Sequence, residues 1–341
     1  MRALVWKVDG KVHLERDYPQ LKISTQEILV RVQAEGVCMT DVHMVRGALD
    51  FAKPPWVLGH EIAGIVDEIG SEVTGWQVGD RVIVDPVVAC GSCKHCLTGK
   101  KYLCPNGGEL GTTRGSGGYG EFVAVKPGNL YRLPEELSFA EGAMMEPLNC
   151  TLGAMERVPN VVGHDVLVFG PGPAGLLFVQ LAKAYGALRV TLVGTSRDRL
   201  DLGKRLGADE TVLLSEGPLS EQLTGLEFGI VIEASGSPEA ARDCFRYVES
   251  SGTVVLYGLS GSGEPNLQTD QIVRKDLTVV TCISAPLLWE KGIRLVLAGK
   301  VNVRDLITDT YLFEEAEEPV NEIIEGKRVV TKAMIRYPDQ A

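Results

Sequence analysis

The chain has 341 residues, of which 45% are hydrophobic and 23% are charged, and its formal net charge is −11. This length exceeds what one hydrophobic core usually supports, so we expect two globular domains rather than a disordered chain. The negative charge disfavours nucleic acid and anionic membranes as partners, and no apolar run is long enough to cross a bilayer. We expect a cytoplasmic protein with small-molecule partners, since the polar start of the chain also argues against export.

Short β-like runs separated by glycine-rich turns fill the first part of the chain, from about Met1 to Val125. Glu27 to Val32 and Arg81 to Val84 are examples. This pattern predicts a mostly β domain.

Four cysteines lie close together in this part of the chain, at Cys90, Cys93, Cys96 and Cys104. Four thiolates with no open position suit a tetrahedral structural zinc, which would brace a loop and do no chemistry. An iron–sulfur cluster and unligated or disulfide-paired cysteines are the alternatives. His95 could replace one cysteine only with a tighter turn.

A second set of metal-ligand types comes from separate turns: Cys38, His60 with Glu61, and Glu146. This set could leave a coordination position open, which a catalytic zinc requires for water or a substrate oxygen. Taken alone, the residues also fit a hydrogen-bonded core histidine and a glutamate that caps a helix or pairs with a cation.

Apolar strands that alternate with amphipathic helices begin at Val166 and indicate a doubly wound parallel sheet. The predicted strands are Val166 to Phe169, Val190 to Val193, Thr211 to Leu214, Gly229 to Glu233, Thr253 to Tyr257 and Leu277 to Cys282. A helix at Lys291 to Ala298 and a β segment at Arg328 to Tyr337 follow, and we return both to the first domain. The predicted domains are 1–147 with 287–341, and 148–286.

The turn Gly170-Pro171-Gly172-Pro173-Ala174-Gly175 follows the first of these strands and opens the helical run Leu176 to Tyr185. In this setting the glycines allow a nucleotide pyrophosphate to approach the amino terminus of the helix. We therefore assign Gly170, Gly172, Pro173, Ala174 and Gly175 to cofactor binding. The alternative is a merely structural loop.

The tip of the second predicted strand carries no acidic residue where an NAD-binding chain would use one on the ribose hydroxyls. Gly194 removes the carboxylate that would repel a 2′-phosphate. Hydrogen-bond donors follow at Thr195, Ser196, Arg197 and Arg199. We therefore expect NADP, because a guanidinium suits phosphate. If Arg197 instead begins a solvated helix and pairs with Asp201, NAD remains permissible.

Three motifs, in chain order, resemble the zinc-containing medium-chain alcohol dehydrogenases. They are Cys38-x-Thr40-Asp41-x-His43, then Gly59-His60-Glu61-x2-Gly64-x5-Gly70-x2-Val73 with Gly79-Asp80-x-Val82, and the four-cysteine lobe. Glu146-Pro147-Leu148 resembles the acidic position of the sorbitol, glucose and threonine dehydrogenase branch. The resemblance covers essentially the whole chain and implies a GroES-like, mostly β catalytic domain beside a Rossmann cofactor domain.

The resemblance also implies the chemistry. Cys38, His60 and Glu61 become catalytic-zinc positions, with Glu61, Glu146 or water completing the sphere, so each chain would hold one catalytic and one structural zinc. Thr40 would accept the proton of the substrate hydroxyl and relay it through the cofactor ribose towards His43. The reaction implied is hydride transfer between a secondary alcohol, such as a polyol or sugar, and NAD(P).

Further expectations depend on the same resemblance. A homo-oligomer is expected, tetramer before dimer. Trp56 and Trp289 are interpreted either as pocket-lining or as core residues. A zinc-free quinone reductase and a nucleotide-binding protein without catalysis are the alternative functions.

Overall fold

The computed structural model describes residues 1–259, 267, 269–285 and 287–338, and it divides into two compact units. Unit 1 comprises Met1–Glu146, Trp289–Ile293 and Ile307–Ala341, and unit 2 comprises Pro147–Leu288 and Arg294–Leu306. The sequence prediction assigns Arg294–Leu306 to the first domain. In the structure this segment lies in unit 2, where the Gln180 side chain bonds the backbone of Asn302 at both its carbonyl and its N–H. Residue 286, the predicted end of the second domain, lies outside the described residues.

The described strands are β1 (Ala3–Trp6), β2 (Val12–Glu15), β3 (Ile28–Val37), β4 (Trp56–Val57), β5 (Glu61–Ile69), β6 (Arg81–Val84), β7 (Val87–Val88), β8 (Gly108–Glu109), β9 (Phe122–Val125), β10 (Leu130–Arg132), β11 (Asp165–Phe169), β12 (Arg189–Gly194), β13 (Glu210–Leu213), β14 (Phe228–Glu233), β15 (Val248–Leu256), β16 (Thr278–Thr281), β17 (Ile307–Leu312) and β18 (Lys332–Arg336). The described α-helices are α1 (Met39–Val45), α2 (Lys94–Leu97), α3 (Phe139–Ala143), α4 (Met145–Met155), α5 (Pro173–Ala184), α6 (Arg197–Arg205), α7 (Leu219–Gln222), α8 (Pro238–Tyr247), α9 (Thr269–Arg274), α10 (Trp289–Leu297) and α11 (Glu317–Glu325). None of these helices has the length and apolar character needed to cross a membrane.

A seven-stranded sheet forms the centre of unit 1, in the order β10-β6-β5-β3-β18-β17, with β9 paired to β3. Strand β3 is buried along nearly its whole length, and β5 and β18 pair with it antiparallel. Antiparallel pairing places the end of β3 beside the start of β5, where Gly36 lies opposite Glu61. Cys38, just after β3, is thereby brought close to His60, just before β5.

Unit 2 contains a six-stranded sheet in the order β13-β12-β11-β14-β15-β16, in which every pairing is parallel. This sheet confirms the doubly wound prediction, and all of the predicted strands are present, although β15 begins earlier, at Val248. The strand order reverses between β11 and β14. Ligands of open parallel sheets bind at such a switch point, outside the carboxyl ends of the strands.

Strand β17 was missed by the sequence analysis. It runs parallel to β18, and α11 lies between the two strands in the chain. Its residues alternate between half-buried and exposed along the strand. Three polar residues in a row, Thr308 to Thr310, replace the alternation of apolar and polar residues that identifies a half-buried strand, so the sequence carries no such signal here.

Candidate functional site

The sulfurs of Cys90, Cys93, Cys96 and Cys104 lie within 4.8 Å of one another. Cys90 Sγ is 3.9 Å from Cys96 Sγ, and Cys93 Sγ is 3.5 Å from Cys96 Sγ. A tetrahedral zinc with Zn–S bonds of about 2.3 Å separates its sulfurs by about 3.8 Å. The four-cysteine lobe therefore has the dimensions that one zinc ion needs.

The electrostatics of the lobe also suit a cation. Hydrogen bonds from the backbone N–H groups of Ser92 and then Cys93 lower the pKa of Cys90 to about 6. Burial, followed by hydrogen bonding with Cys93, raises the pKa of Cys96 to about 11. One thiolate therefore forms readily while a neighbouring thiol resists ionisation. A divalent metal removes that resistance, because it offsets the negative charge of the thiolates.

Cys38, His60 and Glu61 form a second cluster, whose possible ligand atoms also lie within 4.8 Å of one another. Cys38 is the N-cap of α1, and its backbone N–H donates to Asp41 Oδ2 at 3.2 Å. Asp41 therefore caps the amino terminus of α1. Gly59 precedes His60 with φ +96°, a conformation that favours glycine and turns the chain into β5.

Lys332, on β18, holds the carboxylate of Glu61. Its Nζ donates to the two carboxylate oxygens at 2.7 and 2.8 Å and to the carbonyl oxygen of Val37 at 3.2 Å. Burial lowers the pKa of Lys332, but the charges of Glu61 and Cys38 outweigh burial and raise it, so the ammonium is charged. Lys332 is not among the site residues predicted from the sequence, because a single lysine in a strand near the end of the chain belongs to no motif.

Glu146 lies outside the cluster of Cys38, His60 and Glu61. Its negative charge nevertheless acts on Lys332 and contributes to raising the pKa of that ammonium. Glu146 is therefore near the cluster without being one of the three residues whose possible ligand atoms the structure brings together.

Negative charge dominates the surroundings of His60. Its Nδ1 lies 3.6 Å from Asp41 Oδ1 and has no hydrogen-bond partner among the described residues. Burial alone lowers the pKa of His60, but the charges of Cys38 and Asp41 outweigh it and raise the pKa well above its usual value. Burial, and next the charge of Asp41, raise the pKa of the nearby Glu35 well above its usual value. This excess of negative charge, with a thiol and an imidazole as donors, fits a bound zinc ion.

Thr40 and His43 are three residues apart on α1, so their side chains lie on the same face of the helix. Both are half-buried. Burial, and next the positive charge of Arg46, lower the pKa of His43 below 6.5. At neutral pH His43 is therefore in the neutral form that can accept a proton.

In unit 2, each glycine of the turn between β11 and α5 has a distinct geometric role. Gly170 has φ +98°, and a Cβ there would lie 2.8 Å from the backbone of Ser235. A Cβ on Gly175 would lie 1.8 Å from the carbonyl oxygen of Gly170, so helix and strand approach closely. Gly172 borders open space and is the N-cap of α5, whose first residue is Pro173. These are the requirements of a dinucleotide-binding turn.

Gly194 ends β12, at the position where an NAD-binding chain would carry an acidic residue. A Cβ there would lie 2.4 Å from the ring of Pro171. The structure thus supplies a packing reason for this glycine, in addition to the absence of a carboxylate.

The hydrogen-bond donors that follow Gly194 are exposed or half-buried. Thr195 and Arg197 are exposed, whereas Ser196 and Arg199 are half-buried. Arg197 forms an ion pair with Glu216 rather than with Asp201, the partner considered in the sequence analysis. Both partners in this pair are more than half exposed, so the pair is weak and leaves the guanidinium accessible.

The two tryptophans considered for a pocket differ in burial. Trp289 is 2% exposed and stacks on Tyr131, with ring centroids 5.4 Å apart. Trp56 is half-buried, and its Nε1 donates to the carbonyl oxygen of Gly111 at 3.1 Å. The burial of Trp289 favours the core interpretation for that residue.

Comparison with protein families and relatives gives consistent matches. Residues 24–135 match the alcohol dehydrogenase GroES-like domain, and residues 173–298 match the zinc-binding dehydrogenase family. A protein of Emericella nidulans named "Probable D-xylulose reductase A" is 34% identical over 339 residues, which cover 96% of this chain and 93% of the relative. Sorbitol dehydrogenase of Bacillus subtilis is 28% identical over 347 residues, covering 100% and 98% of the two chains.

Solved structures agree with the sequence relatives. A zinc-binding dehydrogenase from Sinorhizobium meliloti bound to NADP has a TM-score of 0.90 and 29% identity, with 98% of each chain covered. An alcohol dehydrogenase from E. coli CFT073 complexed with NADH has a TM-score of 0.90 and 28% identity, covering 98% of this chain and 99% of that one. Both structures contain a nicotinamide cofactor.

Proposed function

The chain belongs to the zinc-containing medium-chain alcohol dehydrogenases, in their polyol-dehydrogenase-like branch, and from this we propose which residues hold its metals and cofactor. It is an oxidoreductase that acts on a small alcohol or polyol with zinc and a nicotinamide cofactor. The observation that carries the proposal is the convergence of Cys38, His60 and Glu61 on one point. We assign the catalytic zinc to this cluster, with Glu146 nearby, and the structural zinc to the four-cysteine lobe.

When bound, zinc supplies a Lewis acid for the substrate oxygen and the nicotinamide supplies the hydride acceptor. The thiolate of Cys38 and the imidazole of His60 would hold the metal from two adjacent strand ends. Lys332 fixes Glu61 and balances its charge. Glu61, Glu146 or water would complete the coordination of the ion.

Thr40 Oγ1 would accept the proton of the substrate hydroxyl while its own hydroxyl proton passes on towards His43. The two side chains share one face of α1, and the lowered pKa of His43 keeps the imidazole ready to accept that proton. In the reverse direction the same residues return the proton to a ketone or an aldehyde.

For the cofactor we assign the turn from Gly170 to Gly175, and we favour NADP over NAD. The support is the exposed guanidinium of Arg197 and the absence of an acidic residue at the end of β12. Thr195, Ser196 and Arg199 supply further donors. A guanidinium that is only weakly held by Glu216 can turn to a 2′-phosphate.

We also favour a cytoplasmic homo-oligomer, tetramer before dimer. The four cysteines of the lobe form no disulfide with one another, as zinc binding there needs. The oligomer is a family expectation, which light scattering of the purified chain tests.

A panel of polyols, sugars and secondary alcohols, assayed with both cofactors and combined with metal analysis, tests the proposal. We expect about two zincs per chain, turnover of a polyol or another secondary alcohol, and a lower KM for NADP. Absence of zinc with quinone reduction supports the quinone reductase alternative. Cofactor binding without turnover supports a non-catalytic nucleotide-binding protein.

A further inference from the structure

Glu35 is a carboxylic acid in the middle of the central strand of unit 1. It is 0% exposed, and its neighbours in the register are Ile62 on β5 and Ile335 on β18. Within the described part of the chain, its Oε2 has no hydrogen-bond partner. A buried polar group without full pairing is unfavourable, and an apolar side chain at such a position is better for stability alone.

The backbone around Glu35 is shaped to admit its carboxylate. A Cβ on Gly59 would lie 2.7 Å from Glu35 Oε1, and a Cβ on Gly118 would lie 1.9 Å from Glu35 Oε2. Gly59 and Gly118 bond to each other, since the N–H of Gly118 donates to the carbonyl oxygen of Gly59 at 2.9 Å. Two glycines from different segments therefore leave room for this one side chain, which makes it a specific part of the site.

The carboxylate of Glu35 contacts the peptide that joins two residues of the proposed catalytic site. Its Oε1 accepts from the backbone N–H of Glu61 at 3.1 Å. That N–H belongs to the peptide bond between His60 and Glu61, so the contact fixes the plane from which both side chains extend. On the other side of His60, the N–H of Gly59 donates to Asp41 Oδ1 at 3.4 Å. The segment is thus fixed at each end by a buried carboxylate.

We propose that Glu35 is a positioning residue for the catalytic metal: it holds the His60–Glu61 peptide so that both side chains converge with Cys38. The inference depends on the proposed function, in which these residues bind zinc. Outer contacts that orient metal ligands typically change metal affinity by about 10- to 100-fold when removed. Loss of the Glu35 carboxyl group is therefore expected to weaken metal binding without a matching loss of fold stability.

The test compares Glu35→Met, which has similar length and no acceptor oxygen, with Glu35→Gln, which keeps one. Glu121→Gln is the control, because Glu121 is a mostly buried carboxylate of the same unit that pairs with Arg2. Zinc content is measured after dialysis against chelators of graded strength, and thermal unfolding is measured on the metal-free chain. We expect Glu35→Met to raise the dissociation constant of one zinc at least tenfold and leave the other zinc in place. Its thermal midpoint should be equal to or higher than that of the wild type.

We expect Glu35→Gln to stay within about threefold of the wild-type zinc affinity, because its amide oxygen still accepts from Glu61, and Glu121→Gln to match the wild type. The inference is overturned if Glu35→Met binds both zincs within twofold of the wild type, or if Glu35→Gln loses as much affinity as Glu35→Met. Should Glu35→Met fail to fold, Glu35→Val serves in the same comparison. If the wild-type chain binds only one zinc, the proposed catalytic site itself is contradicted. This outcome is seen on the wild type alone and is therefore distinct from a failure of the Glu35 inference.

Discussion

Removal of the Lys332 ammonium is expected to destabilise unit 1 strongly. In Lys332→Met, the carboxylate of Glu61 loses both hydrogen bonds, at 2.7 and 2.8 Å, in surroundings where the two side chains are 4% and 1% exposed. Breaking a buried pair in this way costs about 3–5 kcal/mol, because an uncompensated charge remains buried. On the metal-free chain we therefore expect the free energy of unfolding to fall by about this amount.

Urea unfolding followed by tryptophan fluorescence measures this loss selectively. Trp6, Trp56, Trp76 and Trp289, the four tryptophans of the chain, all lie in unit 1. Lys327→Met is the matched control: its partner is Glu325, its side chain is 69% exposed, and the change should cost less than about 1 kcal/mol.

A double variant separates lost pairing from lost packing. Lys332→Met combined with Glu61→Met removes both charges, so it should be more stable than Lys332→Met alone. A loss below about 1 kcal/mol for Lys332→Met, or a double variant no more stable than the single one, refutes the argument.

Other predictions concern the cofactor, the proton path and the lobe. Gly175→Ala should weaken cofactor binding at least tenfold in a fluorescence titration, because its Cβ would lie 1.8 Å from a carbonyl oxygen; unchanged binding contradicts the assigned turn. Arg197→Ala should raise the KM for NADP and leave that for NAD unchanged, whereas an equal change in both argues against a 2′-phosphate contact. Because the pKa of His43 is lowered, its proton-accepting form persists below pH 6.5, so the acidic limb of alcohol oxidation should lie there and change in His43→Gln. An unaltered profile excludes His43 from the path. Cys104→Ser should lose one zinc and lower the thermal midpoint while the second zinc stays; loss of both zincs speaks against two independent sites.

The local features of this chain were predictable because each is carried by neighbouring residues. The four cysteines lie within one lobe, and the turn from Gly170 to Gly175 lies between a strand and a helix, so spacing and order were sufficient. The parallel sheet of unit 2 followed from the alternation of apolar strands with helices.

The contacts around the cluster of Cys38, His60 and Glu61 were not predictable from spacing. Lys332 and Glu61 are in contact although 271 positions separate them in the sequence. Glu35 contacts the backbone of Glu61 only because β3 and β5 pair in one register. Neither belongs to a motif, and a buried lysine or glutamate looks the same in sequence as an exposed one. The sequence suggested that Gly194 is a glycine because a carboxylate there would repel a 2′-phosphate. The structure adds a second reason, since a Cβ at Gly194 would collide with the ring of Pro171.

Zinc content and hydride transfer, measured together on the wild type and on Cys38→Ser, test the central claim most directly. The wild type should bind about two zincs per chain and reduce NADP or NAD with a polyol or another secondary alcohol. Cys38→Ser should keep the zinc of the four-cysteine lobe, lose the other, and show no hydride transfer above background. Normal turnover by Cys38→Ser, or a wild type that turns over without zinc, contradicts the account.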